Sequence, residues 1–167
     1  MNSTKRRHFD PTTHFKLNDI CLWTTSLTRS DVEQEEQKVG RATIQTFQKT
    51  SPNIFEVETE GGEKANLLRV LVSMGLRAVD RDGEQDQQIL YTLEATFAVD
   101  YLIIEAPEVA DFVAFVDFNC MHNAWPFWRQ HVFDTLKRAS LPVVQVPFFA
   151  GKSPAVGPKK AKQKKLA

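Results

Sequence analysis

Two stretches of strict alternation constrain this chain more than anything else in it. Leu68, Val70, Val72, Met74, Leu76 and Ala78 share one parity, with Arg69, Ser73 and Arg77 on the other. After a polar segment at 80–87 that contains Asp82-Gly83, the pattern repeats. Ile89, Tyr91, Leu93, Ala95, Phe97 and Val99 alternate with Thr92, Glu94 and Thr96. Side chains of a strand point to opposite faces with period two, so each run has one apolar and one wet face. Two such runs joined by a turn segment predict a long antiparallel hairpin. Its apolar face must be covered by something else in the chain.

The regions before the hairpin supply more strand. Residues 14–29 read as a strand with a fault: Phe15 and Leu17 share one parity, Ile20 and Leu22 the other. A phase switch after Asn18-Asp19 predicts a β-bulge. Residues 30–51 are polar and weakly patterned, and read as a long crossover with a helical turn near 32–38. Residues 53–60 alternate Ile54, Phe55 and Val57 with Glu56, Glu58 and Glu60, as a short edge segment would.

From Pro107 the period changes to that of a helix. Val109, Phe112, Val113, Val116 and Cys120 recur at helical spacing, and Pro107-Glu108 suits a first turn. Trp128, Val132, Thr135, Leu136 and Ala139 form a second stripe. Pro126 fits either the first turn of a new helix or a kink in a continuing one. Leu141-Pro142 ends it, and residues 143–149 read as extended. The fold class expected is α+β: a four-stranded antiparallel sheet with a long crossover, followed by helices packed on one face.

Nine of the 17 aromatic residues fall within residues 112–149: Phe112, Phe115, Phe118, Trp125, Phe127, Trp128, Phe133, Phe148 and Phe149. One inner stripe cannot hold them all, so some must meet a partner subunit or a client.

Charge divides the chain. Lys152, Lys159, Lys160, Lys162, Lys164 and Lys165 crowd into residues 150–167, and Lys5, Arg6 and Arg7 lie near the start. Taking those nine from the 21 basic residues leaves 12 against 21 acids, about −9 for residues 8–149. An acidic body argues against a nucleic-acid-binding surface, although the lysine tail leaves RNA binding as an alternative. The expected organisation is a flexible basic segment at 1–11, a folded domain at 12–149 and a disordered lysine-rich tail at 150–167. No apolar run approaches the ~20 residues of a membrane span. Polar, basic opening residues and two distant cysteines, Cys21 and Cys120, suit a cytoplasmic protein with reduced thiols.

Catalytic chemistry has no visible seat. Cys120-x-His122 with His131 nearby is a weak metal or nucleophile signal, and Cys120 on an apolar stripe reads better as an inert buried thiol. No phosphate-binding loop, zinc-protease or nucleophile-elbow motif occurs. The expectation is a non-enzyme with no cofactor and no metal.

One segment is distinctive. Phe118-Asn119-Cys120-Met121-His122-Asn123-Ala124-Trp125-Pro126-Phe127-Trp128-Arg129 resembles the helix of the SecB export chaperones, where a cysteine precedes an aromatic-Pro-aromatic-x-Arg run. Ala139-Ser140-Leu141-Pro142 with Val144, Val146 and Pro147 is similar to that family's helix end and Pro-rich return. Phe15-x-Leu17-x-x-Ile20 resembles its first strand, and Pro52-Asn53-Ile54 its edge. The resemblance spans roughly residues 14–149. It implies an ATP-independent holdase, a cytoplasmic homotetramer built as a dimer of dimers. Such a protein keeps unfolded preproteins translocation-competent and passes them to the SecA motor. It makes Phe112, Phe115, Phe118, Trp125, Phe127 and Trp128 candidates for a client-binding groove, with core or dimer packing as the competing role. Glu94 falls on the sheet face that docks SecA, although Thr24 and Thr28 stand at two positions where the family carries acids. The family's last helix has no counterpart after residue 149. Relatives also guard labile antitoxins, so a dedicated chaperone of an antitoxin or other single unstable partner is the alternative.

Overall fold

The computed structural model describes residues 9–30, 42–80 and 88–150. A capped turn, α1 (Pro11–His14), precedes four strands: β1 (Phe15–Arg29), β2 (Thr43–Glu58), β3 (Lys64–Val79) and β4 (Ile89–Ile103). Asp10 starts α1 by accepting from the Thr12 amide at 3.0 Å, with Pro11 in the first turn where its missing N–H costs nothing. The strands form one antiparallel sheet in the order β1-β4-β3-β2, so the predicted hairpin is its centre. The bulge expected after Asn18-Asp19 is present as a register shift between Leu17 and Asp19. A second shift, between Leu22 and Thr24, was not anticipated.

The crossover expected at 30–51 is shorter than predicted. β2 begins at Thr43, runs through Pro52 and pairs with β3 along its whole length. An edge strand needs no alternation when neither face is sealed, which is why periodicity missed its first half. Pro52 is tolerated because an edge strand has one side without ladder bonds. The helical turn expected near 32–38 lies outside the described residues, as do residues 1–8 and 151–167.

After β4 comes one continuous helical run: α2 (Val109–Ala114), a π-helical stretch (Phe115–Cys120) and α3 (Met121–Arg138). Backbone angles stay right-handed helical at Ala114, Phe115, Cys120 and Met121, so Pro126 lies inside a continuing helix rather than starting one. The buried face departs from the predicted stripe only at its start. Val109 and Val113 of the predicted stripe are exposed, and Phe115, three residues after Phe112, is buried instead. Below the π stretch the stripe is regular: Cys120, Ala124, Trp128, Val132 and Leu136 are all buried at intervals of four.

The core lies between that stripe and the inner face of the central hairpin. Leu68, Val70, Val72, Met74, Leu76 and Ala78 are sealed, as are Tyr91, Leu93, Ala95, Phe97 and Val99; Ile89, at the strand start, is exposed. Phe115 stacks on Phe15 with ring centroids 4.0 Å apart and meets Tyr101 edge-on. The opposite sheet face carries Arg69, held by Asp100 through paired bonds of 2.8 and 2.7 Å, and a Ser73–Thr96 hydroxyl contact at 2.9 Å. The helix ends where Ser140 adopts φ 53° and Leu141 donates back to the Leu136 carbonyl at 2.9 Å. Pro142 then prevents further helix, and the chain turns back along it.

Candidate functional site

A groove of about 600 Å³ opens between the inner side of β2 and the long helix. Ile44, Thr46 and Gln48 form one wall, Trp125 and Trp128 the other, and residues 144–147 close the third side. Trp125 is half-buried, and its Nε1 donates to the Pro147 carbonyl at 2.8 Å. One turn further on, Arg129 Nε donates to the Val146 carbonyl at 3.1 Å, while its guanidinium lies over the Phe148 ring.

The six candidate rings do not share a role. Trp128, 2% exposed, belongs to the core and presents only an edge to the groove. Phe115, at 3%, is wholly core and has no face left for a client. Phe112 is half-buried against Phe15. Phe118 and Phe127 are 47% and 46% exposed, on different sides of the helix, and Phe127 also meets the buried Phe97 ring at 6.5 Å. Phe118 stacks on His122 and touches Phe149. Helical geometry separates neighbours by ~100° per residue, so Phe127 and Trp128 could not both turn inward.

Sequence reasoning read residues 14–29 and 53–60 as strand but named no client-contact candidate on these edges. Trp23 is 52% exposed and lies over the Arg69 guanidinium, 5.0 Å from ring centroid to carbon. It is the extra residue at the second register shift, a position where bulges re-aim side chains. Phe47, Ile54 and Phe55 on β2 are also exposed. Phe47 lies across Gly75, filling the space a Cβ would occupy. A glycine directly opposite an aromatic was the available signal. Reading 30–51 as crossover hid it.

Glu94 is exposed on the outer face of the central strand β4, between Thr92 and Thr96 and opposite Ser26 of β1. Thr24 and Thr28 lie on that face too, opposite Thr96 and Thr92.

Cys120 and His122 point apart. Cys120 is sealed in the core, where burial pushes its thiol up to about 12, and His122 is exposed on Phe118. Tyr101, beside Cys120, is pushed above its ordinary range by burial and accepts from the Asn123 amide at 2.8 Å. His131 sits 2.8 Å from the Thr25 hydroxyl, between the helix and β1. Burial lowers its pKa, opposed in part by Asp134. Among the described residues no three metal-binding side chains converge, and both cysteines are free thiols. None of the described helices is long and apolar enough to cross a membrane.

An open antiparallel sheet with one long helix across its inner face, and a groove at the sheet edge, is the SecB-like fold. Among solved structures the chain is similar to the SecB-like chaperone Rv1957 of Mycobacterium tuberculosis, solved in complex with a ChAD peptide from the Rv1956 HigA1 antitoxin. The TM-score is 0.57 and the identity 15%, over 86% of this chain and 96% of that one. A protein of unknown function from Streptococcus agalactiae matches with a TM-score of 0.39 and 11% identity, over 80% of this chain and 97% of that one. No family model and no curated protein matches the sequence.

Proposed function

We propose that this protein is an ATP-independent chaperone that holds extended apolar segments of unfolded polypeptides. The groove beside β2 carries this reading. It combines apolar walls, two side-chain donors aimed at backbone carbonyls, and an edge strand that also exposes Phe47 and, further along, Ile54. Donors that take main-chain carbonyls suit any sequence, and apolar burial of ~25 cal/mol per Å² supplies the affinity. Weak contacts spread over a long surface then add through avidity. Trp125 lines the groove and Phe118 and Phe127 are half-exposed elsewhere on the helix; these three are the proposed client contacts, with Phe112 at the margin. Phe115 and Trp128 support them from the core.

Two client ranges fit. One is unfolded preproteins kept competent for export, with SecA docking at the Glu94 face. The other is a single labile partner such as an antitoxin, favoured by the antitoxin peptide bound to the similar Rv1957. Exposed Leu17, Leu22 and Trp23 on β1 and Phe133 on the helix support self-association, and the homotetramer implied by the resemblance belongs to the same proposal.

Light scattering of chemically unfolded proteins, diluted into buffer without ATP, tests both. A general holdase suppresses aggregation of unrelated clients at near-stoichiometric ratio. A dedicated one protects only its partner. Failure to protect any unfolded protein would end the chaperone reading.

A further inference from the structure

The chain that returns along the helix has the form of a bound peptide. Residues 143–149 form neither helix nor turn, and no strand pairing with the sheet. They run antiparallel to α3: Val146 meets Arg129, Pro147 meets Trp125, and Phe149 packs on Trp125, His122 and Phe118. Val144, Val146 and Phe149 turn inward onto the core, while Gln145 and Phe148 face solvent. Hollows lie on both sides of this strap. One is the groove against β2, and the other, about 910 Å³, is lined by Pro126, Arg129, Gln130 and Phe133 together with the strap itself. The strap is thus a partition in a single trough along the helix.

Its attachment is generic. Trp125 and Arg129 take main-chain carbonyls, which every polypeptide carries, and the side chains inserted beside them are a spaced pair of valines and a phenylalanine. Those are the features a holdase needs in a client. Leu141, buried and tied to Leu136, marks where the attachment begins, so residues beyond it could leave without unwinding the helix.

We propose that residues 143–149 are a resident pseudo-client, occupying the peptide trough until an unfolded segment displaces them. The inference rests on the chaperone reading above and adds a threshold to it. If the strap is seated most of the time, apparent client affinity falls by the fraction of molecules open, and a trough open in a tenth of molecules binds about tenfold more weakly. Only clients offering longer or more apolar segments than the strap would be retained.

The test compares the full chain with the triple variant Val144→Ser, Val146→Ser, Phe149→Ser, and with Phe149→Ser alone should the triple variant fold poorly. Binding is read by fluorescence anisotropy of labelled, reduced and carboxymethylated lactalbumin, with melting followed by circular dichroism. The expected result is tighter client binding in the variants, about tenfold in the triple one. A synthetic peptide of residues 141–150 should compete with the client, and should bind the triple variant better than the parent chain. Equal or weaker client binding by folded variants, or a peptide that does not compete, overturns the inference while leaving the chaperone reading intact. If neither the parent chain nor the variants bind client, the chaperone reading itself falls, and this inference with it.

Discussion

β2 and β3 are each sixteen residues long and pair with one another from end to end, yet their fates differ. Eight residues of β3 are buried and none of β2. The backbone ladder between them is the same for both, so the contrast comes from the helix, which covers the middle of the sheet and leaves its edges bare. Stability therefore concentrates in the centre, where apolar side chains leave water. The edges keep exposed rings and an open row of backbone groups, a hazard that soluble proteins ordinarily blunt. Keeping such an edge makes sense where it is used for binding.

The strongest challenge to this division uses adjacent residues of one helix. Trp128→Ala should lower unfolding free energy by roughly 3–5 kcal/mol, as for other large buried aromatics. Phe127→Ala, at a ring that is half-exposed and touches Phe97, should cost only about 1 kcal/mol while weakening client holding. Equal destabilisation in chemical denaturation would mean that the outer helix side is also core, and the centre-and-edge distinction would fail.

The contact between helix and edge strand can be probed by pH. His131 has a folded-state pKa below its ordinary value of 6.5 because burial disfavours the imidazolium. The unfolded chain then binds the proton more readily. Its contribution to stability is present above pH 6.5 and is lost as pH falls from there through the lowered folded value. Melting temperature should drop between neutral and mildly acidic pH, and His131→Gln should flatten part of that drop. An identical pH profile in the variant would show that this helix-to-β1 contact carries no titrating strain.

The smallest stability effect belongs to Glu94, exposed on the helix-free face. Glu94→Lys should melt within about 0.5 kcal/mol of the parent. If that face docks SecA, its affinity should fall, and more so at low salt. Thr24→Asp with Thr28→Glu should raise it. Affinity unchanged in both variants would remove the docking role and favour a dedicated partner.

Period-two alternation in 68–78 and 89–99 was sufficient by itself to place the central hairpin, its faces and the outward carboxylate of Glu94, because only a strand sealed on one face needs such a pattern. The broken parity after Asn18-Asp19 likewise foretold the first bulge, and the Cys-to-Arg helix segment pointed to the fold. What the local pattern could not carry was decided by packing. β2 has no sealed face, so nothing forced its residues to alternate, and Phe47 over Gly75 became visible only once β3 lay beside it. Which of Val113 and Phe115 turns inward was decided by the Phe15 and Tyr101 rings that Phe115 packs against, contacts that a helical wheel does not contain. The strap was legible as non-helical chain after Pro142. That it lies against Trp125 and Arg129 follows from the reversal at Ser140, a three-dimensional event.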